Sequence, residues 1–301
     1  MRFPLNRLFF FAAFLVFAGC GSSLRLEQTN PEGIASRIGS APDCHVDLAC
    51  DVARPWREAS RSVARHLFDP AVHAGCAGVF INNTRHDGRV LFLTARHCMG
   101  RNEVFTRGQV IPSRHFQVNF RAATCGGEPA PSSTITSSYR VLTFDDRPAP
   151  EGADFMLLEL LDVSFRDLYN HGVIMAGWQL DAPAQGPAAV IGFPTGDVAK
   201  AAVADRAPAP DGASWQVPIS HGGITAGYSG GPLLDREGRI LGHATSAGPT
   251  GCGGAIVRIE RLGAIWEQGD VGQRLRDFLD PRRTGTRSLG PMVPWTGRAR
   301  R

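Results

Sequence analysis

Thr94-Ala95-Arg96-His97-Cys98 follows the apolar run Val90-Leu91-Phe92-Leu93, and far downstream the chain reads Gly227-Tyr228-Ser229-Gly230-Gly231-Pro232. Between them an acid opens a second apolar run, Asp154-Phe155-Met156-Leu157-Leu158-Glu159-Leu160. A serine hydroxyl is a poor nucleophile at neutral pH, so acyl transfer needs a base within hydrogen-bond reach and an acid behind that base to fix its tautomer. His97, Asp154 and Ser229 can supply those roles. Glycines beside a nucleophile let the backbone turn sharply and aim N–H groups at a developing oxyanion, because glycine adopts positive φ without steric cost. The N–H groups of Gly227 and Ser229 are the candidates for that hole. Taken alone, each stretch has a plainer reading. The glycine-rich run is also an ordinary turn, His97 a satisfied histidine beside a core strand, and Asp154 a turn carboxylate with Asp145, Asp146 and Asp162 as neighbours. Their joint occurrence, in this order and at domain-scale separation, favours the catalytic set.

Further segments extend the pattern outward. They are Cys44-His45-Val46-Asp47-Leu48-Ala49-Cys50, Cys76-Ala77-Gly78 with Asn82-Asn83-Thr84, Gly192-Phe193-Pro194, Leu241-Gly242, and Arg274-Leu275-Arg276-Asp277-Phe278-Leu279-Asp280-Pro281. With the three stretches above, they resemble the bacterial lysyl endopeptidase branch of the trypsin-like serine proteases over nearly all of residues 44–286. The resemblance implies an all-β chain, with two packed antiparallel β-barrels (chymotrypsin-like), a catalytic cleft between them and a short C-terminal helix. It also implies a specificity pocket lined by Gly223, Thr225, Ser246 and Gly248. In lysyl endopeptidases an aspartate just beyond the final cysteine and a glutamate in the nucleophile loop favour lysine. Here Gly253-Gly254-Ala255-Ile256-Val257-Arg258 and Gly222-Gly223-Ile224-Thr225-Ala226-Gly227 carry neither acid. The expected preference is therefore for neutral, small or apolar residues on the acyl side of the scissile bond. Glu260, the first acid after Cys252, is the one rival for a charge in the pocket.

Composition agrees with a β architecture. Gly 35 and Pro 21 in 301 residues, with short runs such as Val79-Phe80-Ile81 and Ala188-Ala189-Val190-Ile191, read as many strands joined by turns. Helical periodicity is confined to Trp56–Leu67 and Val271–Leu279, the latter halted by Pro281. The formal charge is +4, yet residues 282–301 hold six arginines (Arg282, Arg283, Arg287, Arg298, Arg300, Arg301) and no acid, which leaves −2 for the rest. Basicity is local, and no basic stripe interleaved with aromatics points to nucleic acid. The tail reads as a solvated, disordered end.

Arg2 and Arg7 precede the apolar run Leu8–Phe17, too short to span a bilayer comfortably and laid out like a secretory signal. It ends in Ala18-Gly19-Cys20, similar to a bacterial lipoprotein processing site, so residues 1–19 are expected as a signal peptide, Cys20 as a lipidated residue and 20–43 as a flexible tether. That tether leaves no room for a pro-region, and the chain is expected to fold without one. Seven cysteines in an exported chain leave an odd one. With Cys20 lipidated, six remain, and counting alone allows fifteen pairings. The resemblance implies Cys76–Cys98, Cys50–Cys125 and Cys44–Cys252. No Cys-x-x-Cys or His-x-x-x-His spacing suggests a metal, and no cofactor is expected. Asn82-Asn83-Thr84 matches a glycosylation acceptor but reads as structural.

The expected organisation is a protease domain at 44–281, its two barrels divided near 145–175, followed by the basic tail 282–301. The expected function is an exported monomeric serine endopeptidase acting on polypeptides. It would be held at the cell envelope through Cys20, or secreted if that residue is not lipidated. The rival is a catalytically silent protease-like binding module, since folds outlive their chemistry. An esterase fits less well, because its nucleophile elbow comes with the order Ser, Asp, His.

Overall fold

The computed structural model describes residues 37–67, 75–100, 103–147, 151–182, 186–245, 252 and 254–293. The export segment, Cys20, residues 21–36 of the tether, Ser246, Gly248 and residues 294–301 lie outside these. Strands β1 (Val46–Asp47), β2 (Val63–Leu67), β3 (Cys76–Ile81), β4 (Leu91–Thr94), β5 (Val110–Val118), β6 (Ser133–Phe144) and β7 (Met156–Leu160) form the first half. From β2 to β7 they close into an antiparallel barrel in the order β2-β3-β4-β7-β6-β5. Side chains alternate faces along a strand. In β4, Phe92 turns into the barrel with Phe80, Phe116, Tyr139 and Leu158, while Leu91 and Leu93 turn outward. Phe92 packs edge-on against Phe80 and Phe116, each at 5.0 Å between ring centroids. Gly78 makes room for it, since a Cβ there would lie 2.3 Å from the Phe92 ring.

The second half contains α1 (Phe165–Asn170), β8 (Trp178–Gln179), β9 (Ala188–Gly192), β10 (Lys200–Ala204), β11 (Ala209–Asp211), β12 (Ser214–Pro218), β13 (Pro232–Leu234), β14 (Ile240–His243), β15 (Ile256–Arg261), α2 (Leu262–Glu267), α3 (Gly269–Leu279) and β16 (Ser288–Leu289). Its sheet runs β1-β10-β9-β13-β14-β15-β12-β11. Just past β12 the chain returns to β10, where the N–H groups of Val203 and Ser220 each donate at 2.8 Å across the Val203–His221 bridge. That contact closes the circuit into a second barrel, filled by Val190, Trp215, Val217, Leu233, Leu241 and Ile259. The alternate residues Ala189, Ile191, Ala201 and Val203 meet Leu91, Leu93 and Leu157 in a layer between the barrels. Each Val, Ile or Leu buried there contributes about 1.5–3 kcal/mol relative to exposure. The all-β expectation holds, with three short helices added. No helix of the described residues is long and apolar enough to cross a membrane.

Two expectations need correction. Trp56–Leu67 is not a helix: 3₁₀ turns at Asp51–Trp56 and Ala59–Ser62 lead into β2. Strand β2 lies between β3 and β5 with all five residues buried, so it shows no alternation that would mark it as a strand. From 282 to 293 the tail is ordered, although most of its residues stay exposed. There β16 covers the edge of β8, Met292 bridges Met175, and Arg287 reaches Asp181 and Glu267 at 2.8 and 2.9 Å. An unpaired strand edge and two carboxylates order what composition alone reads as loose. Helix α3 buries Leu275 and Leu279, and Asp280 beyond it accepts from Thr84 Oγ1 at 2.9 Å. Asn82 and Asn83 are buried beside that joint.

Candidate active site

Strands β4 and β7 are antiparallel neighbours with Thr94 opposite Met156. His97 follows β4 in the 3₁₀ turn Arg96–Met99, and Asp154 stands just before β7. The register therefore delivers both to one end of the first barrel. Asp154 Oδ2 lies 2.6 Å from His97 Nδ1, and Oδ1 accepts the His97 backbone N–H at 2.9 Å. Burial pushes the Asp154 carboxyl up, but the His97 bonds and nearby His243 outweigh it and hold the group below its ordinary value. An ionised carboxylate can only accept, so Nδ1 carries the proton and Nε2 is left as the basic nitrogen. Cys98, next to His97, is bonded to Cys76 of β3. Cys76, His97 and Cys98 bring ligand-type atoms within 4.8 Å of one another, but the sulfurs are joined and offer no thiolate, so the group does not fit a metal.

Ser229 sits in the loop between β12 and β13. Its C=O accepts the Ala77 N–H of β3 at 2.7 Å, and the Gly230 N–H donates to Ala244 at 2.6 Å, so the loop bridges both barrels. A Cβ on Gly230 would fall 2.2 Å from Ala77 O and 2.3 Å from Thr94 Oγ1, which brings the loop against the residues that lead to His97. Gly227 has φ +103°, and its C=O accepts the Phe193 N–H at 3.0 Å. The N–H groups of Gly227 and Ser229 have no backbone acceptor among the described residues. Tyr228 between them is fully buried, its OH 3.2 Å from His45 Nδ1. His45 follows Cys44, which is bonded to Cys252, and Cys50 is bonded to Cys125.

Of the residues assigned to a specificity pocket, Gly223 and Thr225 are buried on the approach to Ser229. Ser246 and Gly248 lie outside the described residues. The Glu260 carboxyl group is found on the Asp154 backbone, where Oε2 accepts the N–H at 3.1 Å. His243, unremarked in the sequence, is fully buried beside it, with Nε2 3.0 Å from Asp154 O. The only signal was its position directly after Leu241-Gly242; that β14 sets it opposite Glu260 depends on register.

Two antiparallel barrels with an aspartate–histidine pair and a glycine-framed serine where they meet define the trypsin-like serine protease class. The sequence model of the lysyl endopeptidase C-terminal domain matches residues 38–258, and the chain belongs to that family. A lysyl endopeptidase of Pseudomonas aeruginosa is 28% identical over 177 residues, covering 56% of this chain and 35% of its own length. The chain thus spans about a third of that relative. Among solved structures, a serine endoprotease from Yersinia pestis is similar at 18% identity and a TM-score of 0.44, covering 70% of this chain and 62% of the other. The HtrA-type protease AlgW, solved with a tripeptide, is similar at 15% identity and a TM-score of 0.45, covering 71% and 60%.

Proposed function

We propose that this chain is an exported serine endopeptidase that hydrolyses peptide bonds through an acyl-enzyme. His97 Nε2 takes the proton from Ser229 Oγ as that oxygen attacks the carbonyl carbon, and returns it to the leaving amine; water then repeats the sequence and frees the acid. Asp154 orients the imidazole and stabilises the imidazolium, and the N–H groups of Gly227 and Ser229 receive the oxyanion. The observation that carries this reading is the pair of hydrogen bonds that Asp154 accepts from His97, at 2.6 Å from Nδ1 and 2.9 Å from the backbone N–H, on the side of the barrel junction where the Ser229 loop is hydrogen-bonded to β3. A fluorophosphonate probe should label Ser229 in the wild type and fail to label Ser229→Ala or His97→Ala. An unlabelled wild type would leave the silent binding module as the better account.

The remainder of the proposal is architectural. Residues 1–19 act as a signal peptide, Cys20 as the lipid-bearing residue, 20–43 as a tether and 44–281 as a monomeric protease domain acting on polypeptides at the bacterial envelope.

A further inference from the structure

His243 and Glu260 face each other across β14 and β15, and both side chains reach from the second barrel to the peptide groups flanking the Asp154 Cα. Oε2 of Glu260 accepts the Asp154 N–H at 3.1 Å, and Nε2 of His243 lies 3.0 Å from the Asp154 C=O. A carbonyl only accepts, so Nε2 carries the proton. The same Nε2 is 3.5 Å from Glu260 Oε2, and the side chains are 0% and 14% exposed. A buried glutamate placed behind an aspartate, with no Lys or Arg bonded to it among the described residues, goes against the usual pairing of buried charge.

We infer that His243 and Glu260 are positioning residues, a clamp from the second barrel that fixes the backbone of Asp154 and through it the orientation of His97. The inference rests on the orienting role proposed for Asp154. Both carboxylate oxygens of that residue go to His97, so its own position depends on what holds its backbone. Asp154 belongs to the first barrel and Ser229 to the second, and a misplacement near 1 Å between reacting groups costs about 10²-fold in rate. Gripping the N–H and the C=O of one residue from the opposite barrel ties the two halves of the site to one frame.

The clamp also has a proton. Burial, then the Asp154 carboxylate, push Glu260 up to about 8, while burial pushes His243 down. The groups facing Glu260 are Asp154 from the loop before β7, His243 from β14, Asp145 at the end of β6 and, opposite it in register on β12, Ser214. With His243 neutral, none of these is a cation. Glu260 is accordingly a neutral acid up to about pH 8. Above that, a second negative charge forms beside Asp154 with no counter-charge, and the clamp loosens.

The test uses the full chain with Glu260→Ala, Glu260→Gln and His243→Gln. It reads kcat and KM on a peptide substrate from pH 6 to 10, and the downfield proton resonance of His97 Nδ1–H by NMR. Glu260→Ala should lower kcat by about 10²-fold with KM nearly unchanged, and Glu260→Gln, which keeps the acceptor but cannot ionise, should recover most of that loss. The wild type should decline above about pH 8, and the Gln variant should not. The His97 resonance should shift with pH across the same range in the wild type and stay fixed in Glu260→Gln; His243→Gln should broaden it. A Gln variant with the wild-type alkaline decline, or a kcat untouched by Glu260→Ala, overturns the clamp. The resonance separates the two claims: if it responds as expected in a protein without turnover, the clamp stands and the peptidase reading falls. A resonance indifferent to Glu260→Gln overturns the clamp whether or not the enzyme is active.

Discussion

At the scale of single residues, the proposed chemistry concentrates in one oxygen. Ser229→Ala removes the only atom that can carry the acyl group, so kcat on an unfolded protein substrate should fall roughly 10⁶-fold. His97→Ala should be about as damaging, with little further loss in the double variant, because the groups act as a unit. Retained cleavage by Ser229→Ala would assign the activity to another site. Specificity follows the same local logic. An ammonium buried in a pocket without a counter-charge costs several kcal/mol, more than its aliphatic stem recovers. The stretches 222–227 and 246–258 carry no acid, and Glu260 is engaged by the Asp154 N–H. Cleavage of a peptide library should therefore favour neutral, small or apolar residues on the acyl side. Dominant cutting after lysine, abolished by Glu260→Gln, would reverse that. His97, Asp154 and Ser229 could be proposed from sequence because each candidate sits in a local motif. His243 and Glu260 as a pair could not be, since what pairs them is the register of β14 on β15, which no spacing along the chain encodes.

Among the elements, the segment before β1 does more than begin the domain. Asp197, after β9, accepts the N–H groups of Gly39 and Ala41 at 3.0 and 3.2 Å, and Lys200 on β10 pairs with Asp47 at 2.5 Å. These contacts seat His45 against Tyr228, next to the nucleophile. Burial pushes the Tyr228 phenol up, so it acts as a neutral hydrogen-bonding group. Tyr228→Phe would leave His45 Nδ1 without its partner, a loss of about 1–3 kcal/mol for a buried polar group. It should lower Tm and reduce kcat together, because the same loop carries Ser229. An unchanged Tm in thermal unfolding would show the bond to be dispensable. Helix α3 was readable from Leu275, Phe278 and Leu279 on one face, and α2 was not, its six residues being too few to establish a period. Strand β2 escaped notice because burial on both faces erases alternation, and β16 because its stability comes from the edge of β8 rather than from its own residues.

For the whole molecule, anchoring and pH response are the properties to measure. If Cys20 carries lipid, Cys20→Ser should move the protein out of the membrane fraction with its activity intact; a mature N-terminus beyond Cys20 by mass spectrometry would rule the anchor out. The pH response follows from two buried groups with opposite signs. His66 is fully buried inside the first barrel, stacked on Phe116 at 5.0 Å, and burial, with Arg114 and His115 nearby, lowers it from 6.5 to about 3. Below 6.5 the unfolded chain binds the proton that the folded barrel refuses, so stability falls as pH drops from 6.5 towards 3. Glu260 is raised from 4.5 to about 8, so here the folded state keeps the proton and stability falls as pH rises from 4.5 to about 8. Each slope is about 1.4 kcal/mol per pH unit. Between 4.5 and 6.5 the two cancel, while His243, also lowered by burial, adds to the acid-side loss. Urea unfolding with the disulfides intact should therefore show Glu260→Gln gaining on the wild type from pH 4.5 to about 8. His66→Leu should gain on it below pH 6.5. Parallel stability curves for wild type and Glu260→Gln across that range would mean that Glu260 is ionised in the folded protein at neutral pH.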